Sequence, residues 1–189
     1  IEVESIMKLG LDISTSVVGL SIVDDSGYVM SLTNIDLRKI DGVWSKADVV
    51  ATRLPYLVGQ LRNHLSGVYI EENLARFRPG FSSASTLITL ARFNGIVSYI
   101  VLKEFGIEPF YINVNEARKV VGIKIDRKDK TKSTKEKVFE KIMPMLPTIQ
   151  WQTRMIKSGK RKGQVEFDET NYDMADAWVI AKAGIVLHP

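Results

Sequence analysis

The chain has 189 residues, no cysteine, two histidines and a hydrophobic fraction of 45%. This is the size and composition of one globular domain, and it excludes a disulfide framework, a zinc–thiolate site, a cysteine nucleophile and a histidine-rich metal centre. The net charge of +4 hides an asymmetry: residues 117–163 hold 15 Lys and Arg against 4 Asp and Glu, which leaves 11 against 18 elsewhere. A basic lobe on an acidic body suits a protein that grips phosphates with one part and holds oxygen-ligated cations such as magnesium or manganese with another.

Residues 1–6 read as an upstream extension and residues 7–189 as one domain. Residues 8–14 form an apolar strand with Asp12 near its carboxyl end, followed by a polar turn at Ser14, Thr15 and Ser16. A second strand over 17–23, the turn Asp24-Asp25-Ser26-Gly27 and a third strand over 28–37 make an antiparallel meander. Val50, Leu54, Leu57, Val58, Leu61 and Leu65 recur at helical spacing, which predicts a helix over 47–65, ended by Gly67. A short buried strand over 68–72 follows, then a loop over 76–81 and a long helix over 82–105 capped by Ser82 or Ser83. A fifth strand spans 109–114, and Asn115 caps a short helix over 116–121. Two basic insertions, at about 122–135 and 148–166, flank a helix over 134–143, and a final helix covers 171–187. The predicted fold is α/β: a mixed five-stranded sheet, three antiparallel strands then two parallel ones, flanked by helices. No apolar run reads as long enough to cross a bilayer and no signal peptide is visible. The expected setting is therefore a cytoplasm-like, reducing compartment (a viral host's cytoplasm or an organellar matrix being variants), with no membrane partner.

Four acids stand where packing alone does not place them. Asp12 and Glu71 lie at the ends of apolar strands, with Glu72 a rival for the second position; Asp173 and Asp176 lie three apart on one face of the last helix. Carboxylates avoid such places unless paired or bound to a cation. Gathered together they need divalent ions, two of which would also stabilise the attacking water and the leaving oxygen of a phosphodiester. The loop after Glu71 holds Arg76, Phe77, Arg78 and Phe81 around Pro79-Gly80. Its arginines can hold phosphates while Phe77 or Phe81 wedges between bases at a branch point; the plainer alternative is that both rings tuck under the long helix. Arg118, Lys119, Lys124, Lys130, Lys135, Lys160, Arg161 and Lys162 of the basic lobe are expected on backbone phosphates. The long helix is apolar over more than one face, which leaves a stripe for a second copy of the chain.

Several segments together resemble the RuvC-type Holliday junction resolvases of the RNase H-like superfamily. Leu9-Gly10-Leu11-Asp12-Ile13-Ser14 with Gly19 is similar to their opening strand, and Ile70-Glu71-Glu72 to their second acidic motif. Leu90-Ala91-Arg92-Phe93-Asn94-Gly95 resembles the middle of their long helix. Val120-Val121-Gly122 with Lys132-Ser133 resembles the segment after their fifth strand, and Asp173-Met174-Ala175-Asp176-Ala177 their terminal acidic motif. The resemblance runs from Lys8 to Leu187. It implies an RNase H-like fold, a homodimer, branched DNA as partner, and paired symmetric nicks in four-way junctions with two Mg2+ or Mn2+ ions per site. It carries catalytic and metal-binding roles onto Asp12, Glu71, Asp173 and Asp176, and a contact near the scissile phosphate onto Lys132, with Lys135 second. The Ile-Ser-Thr-Ser run after Asp12 and the long insertion over 150–163 depart from bacterial members and look more like divergent viral or organellar ones. The alternatives are a nuclease of the same fold for flaps, other branched DNA or RNA–DNA hybrids, and a non-catalytic nucleic-acid-binding module. An actin-like ATPase or sugar kinase needs two lobes, for which the chain is too short.

Overall fold

A computed structural model describes residues 6–72, 84–126 and 131–188. Strands β1 (Met7–Ile13), β2 (Val17–Asp24) and β3 (Val29–Asp36) form the meander. They are followed by α1 (Val43–Val58), β4 (Leu65–Glu71), α2 (Ala84–Phe105), β5 (Phe110–Ile112), α3 (Val114–Val121) and α4 (Thr134–Ile142). A hairpin of β6 (Thr153–Met155) and β7 (Val165–Phe167) leads into α5 (Thr170–Leu187). The main sheet has the order β3-β2-β1-β4-β5. Its first three strands are antiparallel, and β4 runs parallel to both β1 and β5, as the sequence predicts.

Every residue of β1 is buried, because both faces of the sheet are covered. Leu9, Leu11 and Ile13 join Val68 and Ile70 of β4 in a core with α1 and α2. The alternate positions face the other layer, where α5 lies against the sheet with α3 and α4 beside it. Glycines make that approach close. A Cβ on Gly10 would stand 2.4 Å from the Ala177 carbonyl oxygen, and one on Gly19 only 2.0 Å from that of Asp173. Gly19→Ala is therefore expected to push α5 off the sheet and cost about 2–3 kcal/mol, or roughly 4–12 °C in Tm. An unchanged melting curve would show that the helix does not sit this close.

Local differences from the sequence expectations have physical causes. Helix α1 starts after Gly42, whose φ is 79°, four residues earlier than expected, and ends at Val58. Pro55 withholds an N–H in its last turn and Gly59 takes a positive φ, so residues 59–64 continue only as 3-10 turns. The cap of α3 is Asn113, whose side chain accepts from the Asn115 N–H, so β5 stops at Ile112. The second basic insertion, for which no strand was expected, carries β6 and β7. Helix α2 corrects the expectation about apolar runs: at 22 residues, with mean hydropathy 1.4, it is long and apolar enough to cross a bilayer by length and composition. Its Phe93, Asn94, Val97, Ser98 and Val101 are nonetheless buried, three of them in the core with the sheet and α1.

Candidate active site

Strand alternation aims two acids at the α5 layer. Asp12 shares a face of β1 with Gly10, and Glu71 shares a face of β4 with Tyr69, which packs in the α5 layer. The parallel register Leu11↔Ile70 sets these two acids side by side. Ser14 leaves Asp12 free of turn duty, since its hydroxyl accepts from the Val17 N–H and donates to the Val17 carbonyl. From above, α5 brings Asp173 and Asp176. Asp12, Glu71 and Asp176 offer ligand oxygens that all lie within 4.8 Å of one another. Asp173 joins through Lys135 of α4, whose Nζ donates to Asp173 Oδ1 at 2.5 Å and Asp12 Oδ2 at 3.2 Å. Glu72 is exposed and outside this group.

Asp176 is 1% exposed. Its Oδ1 accepts from Arg118 Nη2 at 2.9 Å, while its Oδ2 is buried with no hydrogen-bond partner among the described residues. A buried carboxylate oxygen left unpaired costs about 1–3 kcal/mol or more. Together with two neighbouring carboxylates, it is a donor set that fits a hard divalent cation. Asp12, Glu71 and Asp176 would hold it.

Burial pushes Asp12 well above the ordinary carboxylate range; Lys135 pulls it back, and Glu71, Asp176 and Asp173 push it further up. Burial likewise raises Glu71, with Asp176 adding to the effect and Lys135 and Arg118 opposing it. For Lys135, burial of the ammonium tip acts downward, but Asp12 and Asp173 outweigh it and hold the group charged, although 45% of the side chain is exposed. Because Asp12 and Glu71 are raised, the folded metal-free protein binds protons that the unfolded chain has released. Its stability then falls as pH climbs from the unfolded carboxylate value of about 4 through the raised folded values. A divalent cation takes the place of those protons. Magnesium is thus expected to raise Tm more at pH 8 than at pH 5, and an equal gain at both in thermal melts would contradict a cation held by these acids.

No protein-family profile matches the sequence, and no curated protein is significantly similar to it. Among solved structures, T. thermophilus RuvC in complex with Holliday junction substrate aligns with a TM-score of 0.61 at 12% identity, over 97% of this chain and 96% of that one. The chain has the RuvC fold. A second Thermus thermophilus RuvC structure aligns with a TM-score of 0.58 at 13% identity, over 94% and 92% of the two chains. These two matches lend no support to the viral or organellar variant considered from sequence.

On this RuvC fold the remaining candidates fall into three groups. Arg118 sits with the acids, tied to Asp176, rather than on the open surface. Lys132 is ion-paired with Glu140, so the lysine placed among the carboxylates is Lys135. Lys119, Lys124, Lys160, Arg161 and Lys162 are exposed, the last three in the turn between β6 and β7. Arg76, Phe77, Arg78, Phe81 and Lys130 lie outside the described residues. The part of Arg118 in holding Asp176 was missed from sequence, since 58 residues separate the two and only the packing of α3 on α5 joins them.

Proposed function

We propose that the chain is a metal-dependent endonuclease that cuts four-way DNA junctions by paired nicks. The observation carrying this reading is the convergence of Asp12, Glu71 and Asp176, with the orphan Asp176 Oδ2 among them, on a RuvC fold. Divalent ions held there would supply charge neutralisation for an attacking water and a departing oxygen as one P–O bond breaks. Arg118 keeps Asp176 oriented through a part-buried, charge-assisted bond. The β6–β7 hairpin is mounted at the head of α5: Gln152 N–H donates to Asn171 Oδ1, Asn171 Nδ2 donates back to the Gln152 carbonyl, and Thr170 Oγ1 donates to Gln152 Oε1. Its cations are therefore carried by a hairpin anchored to the helix of Asp173 and Asp176, where they would hold phosphates of a DNA arm. The substrate class is supported by the Thermus protein's complex with a Holliday junction.

The test is cleavage of matched four-way, three-way, flap, linear and RNA–DNA hybrid substrates with magnesium or manganese. Paired nicks confined to the four-way junction are expected. Cleavage of only the RNA strand of hybrids would replace this reading with another nuclease of the same fold.

A four-way junction has two-fold symmetry, and two nicks need two copies of one site. Ile88, Tyr99 and Leu102 of α2 are exposed, 59%, 61% and 41%, and form the stripe proposed to meet a second chain. A dimer at micromolar concentration is expected by light scattering. A monomer both with and without DNA would exclude this pairing.

A further inference from the structure

The four carboxylates divide between two cation positions. Asp12, Glu71 and Asp176 form one, with ligand oxygens all within 4.8 Å. Asp12 and Asp173 form the other, and there the Lys135 ammonium bridges Asp12 Oδ2 at 3.2 Å and Asp173 Oδ1 at 2.5 Å. We propose that Lys135 is a resident counter-cation, which holds the Asp12–Asp173 position in the DNA-free protein and restricts the site to one tightly bound divalent ion. The inference rests on the metal-dependent reading above and adds to it an order of loading.

Charge balance supports the division. With the cluster ionised, as cation ligands must be, four carboxylates set against Arg118 and Lys135 leave two negative charges, which one divalent ion cancels. With Lys135 withdrawn, three remain. Two divalent ions then leave a surplus of one positive charge, which the single negative charge of a phosphodiester cancels. A second ion is thus disfavoured while Lys135 is in place and favoured when it moves out onto an arriving phosphate.

Lys135 is also the member of the bridge able to move. The side chains of Asp12 and Asp173 are 7% and 11% exposed, fixed by β1 and α5, whereas that of Lys135 is 45% exposed on a flexible four-carbon stem. Its backbone stays in place when the ammonium leaves. Ser133 and Glu136 close a capping box at the start of α4, and Val138, Phe139 and Ile142 bury the helix.

The test is titration of DNA-free protein with Mn2+, followed by calorimetry and by the electron paramagnetic resonance of bound manganese. Wild type is expected to take up about one ion per chain, and about two when an uncleavable junction is added. Lys135→Met is expected to bind about two without DNA, the second some ten- to hundredfold more tightly than in wild type, the scale of a charge-assisted hydrogen bond. Lys135→Arg keeps a cation at the position and should stay at about one. Two tightly bound ions in DNA-free wild type, or the same stoichiometry and affinity in wild type and Lys135→Met, would overturn the counter-cation while leaving the metal site standing. Absence of manganese binding in all three proteins would overturn both.

Discussion

Asp176→Asn is expected to lower cleavage more than about a hundredfold while junction binding stays within a few-fold, and Asp12→Asn should behave the same way. Even outer partners of metal ligands cost about ten- to hundredfold when removed, so a ligand should cost more. The asparagine keeps the shape of the side chain and one acceptor for Arg118, but removes the charge and half of the donor capacity at the buried Oδ2. Stability should move the other way for Asp12→Asn. In chelator, ionised Asp12 is disfavoured by burial and by three neighbouring acids, so its neutral replacement should melt no lower than wild type. Single-turnover cleavage in magnesium and junction binding in calcium separate the two effects. Near-normal cleavage by both variants would show that these acids do not hold the reactive cation.

The elements that sequence reveals well are those in which one face is buried throughout. The short apolar runs of β1, β2 and β4, together with the short turns between the first three strands, carry enough information to order the sheet. Asp12 and Asp176 stand out because their neighbours, Leu11, Ile13, Ala175 and Ala177, are core residues. Glycines were legible only as turn or helix-end signals or as part of the family resemblance, whereas Gly10 and Gly19 in fact let α5 approach close enough for its acids to reach the strand acids. The hairpin escaped detection because each of its strands has three residues, too few for alternation to show, and because Lys160, Arg161 and Lys162 mask it as a charged loop. The choice between Lys132 and Lys135 was open for another reason. Three residues on, the chain has entered α4, and only the position of that helix against α5 decides which ammonium reaches Asp173.

Neutralising Lys160, Arg161 and Lys162 together should flatten the salt dependence of junction binding. The turn that carries them is built for display. Ile156 and Gln164 close it with the Ile156 N–H donating at 2.9 Å and the Gly163 N–H donating back at 2.8 Å, and Gly159 and Gly163 supply the positive φ that the bends require. The base of the hairpin is packed by Phe167 against Phe139 of α4, so the three cations project from a fixed mount. Each cation on a phosphate contributes about −0.9 to the slope of log K against log salt. Arg161 is partly engaged by Glu166 at 3.1 Å, so the triple variant should lose about two units of slope rather than the full sum. Between 50 and 200 mM salt, that amounts to roughly a fifteenfold smaller loss of affinity than wild type suffers. Binding isotherms for one junction across that range, measured in calcium to prevent cleavage, give the slope directly. Since the cluster of acids is untouched, manganese binding should be unaltered in the same variant. A slope identical to wild type would mean that the hairpin tip stays in solvent, and the phosphate-gripping surface would then have to be sought along α3, α4 and the segment that follows α3, where Lys119, Lys141 and Lys124 are exposed.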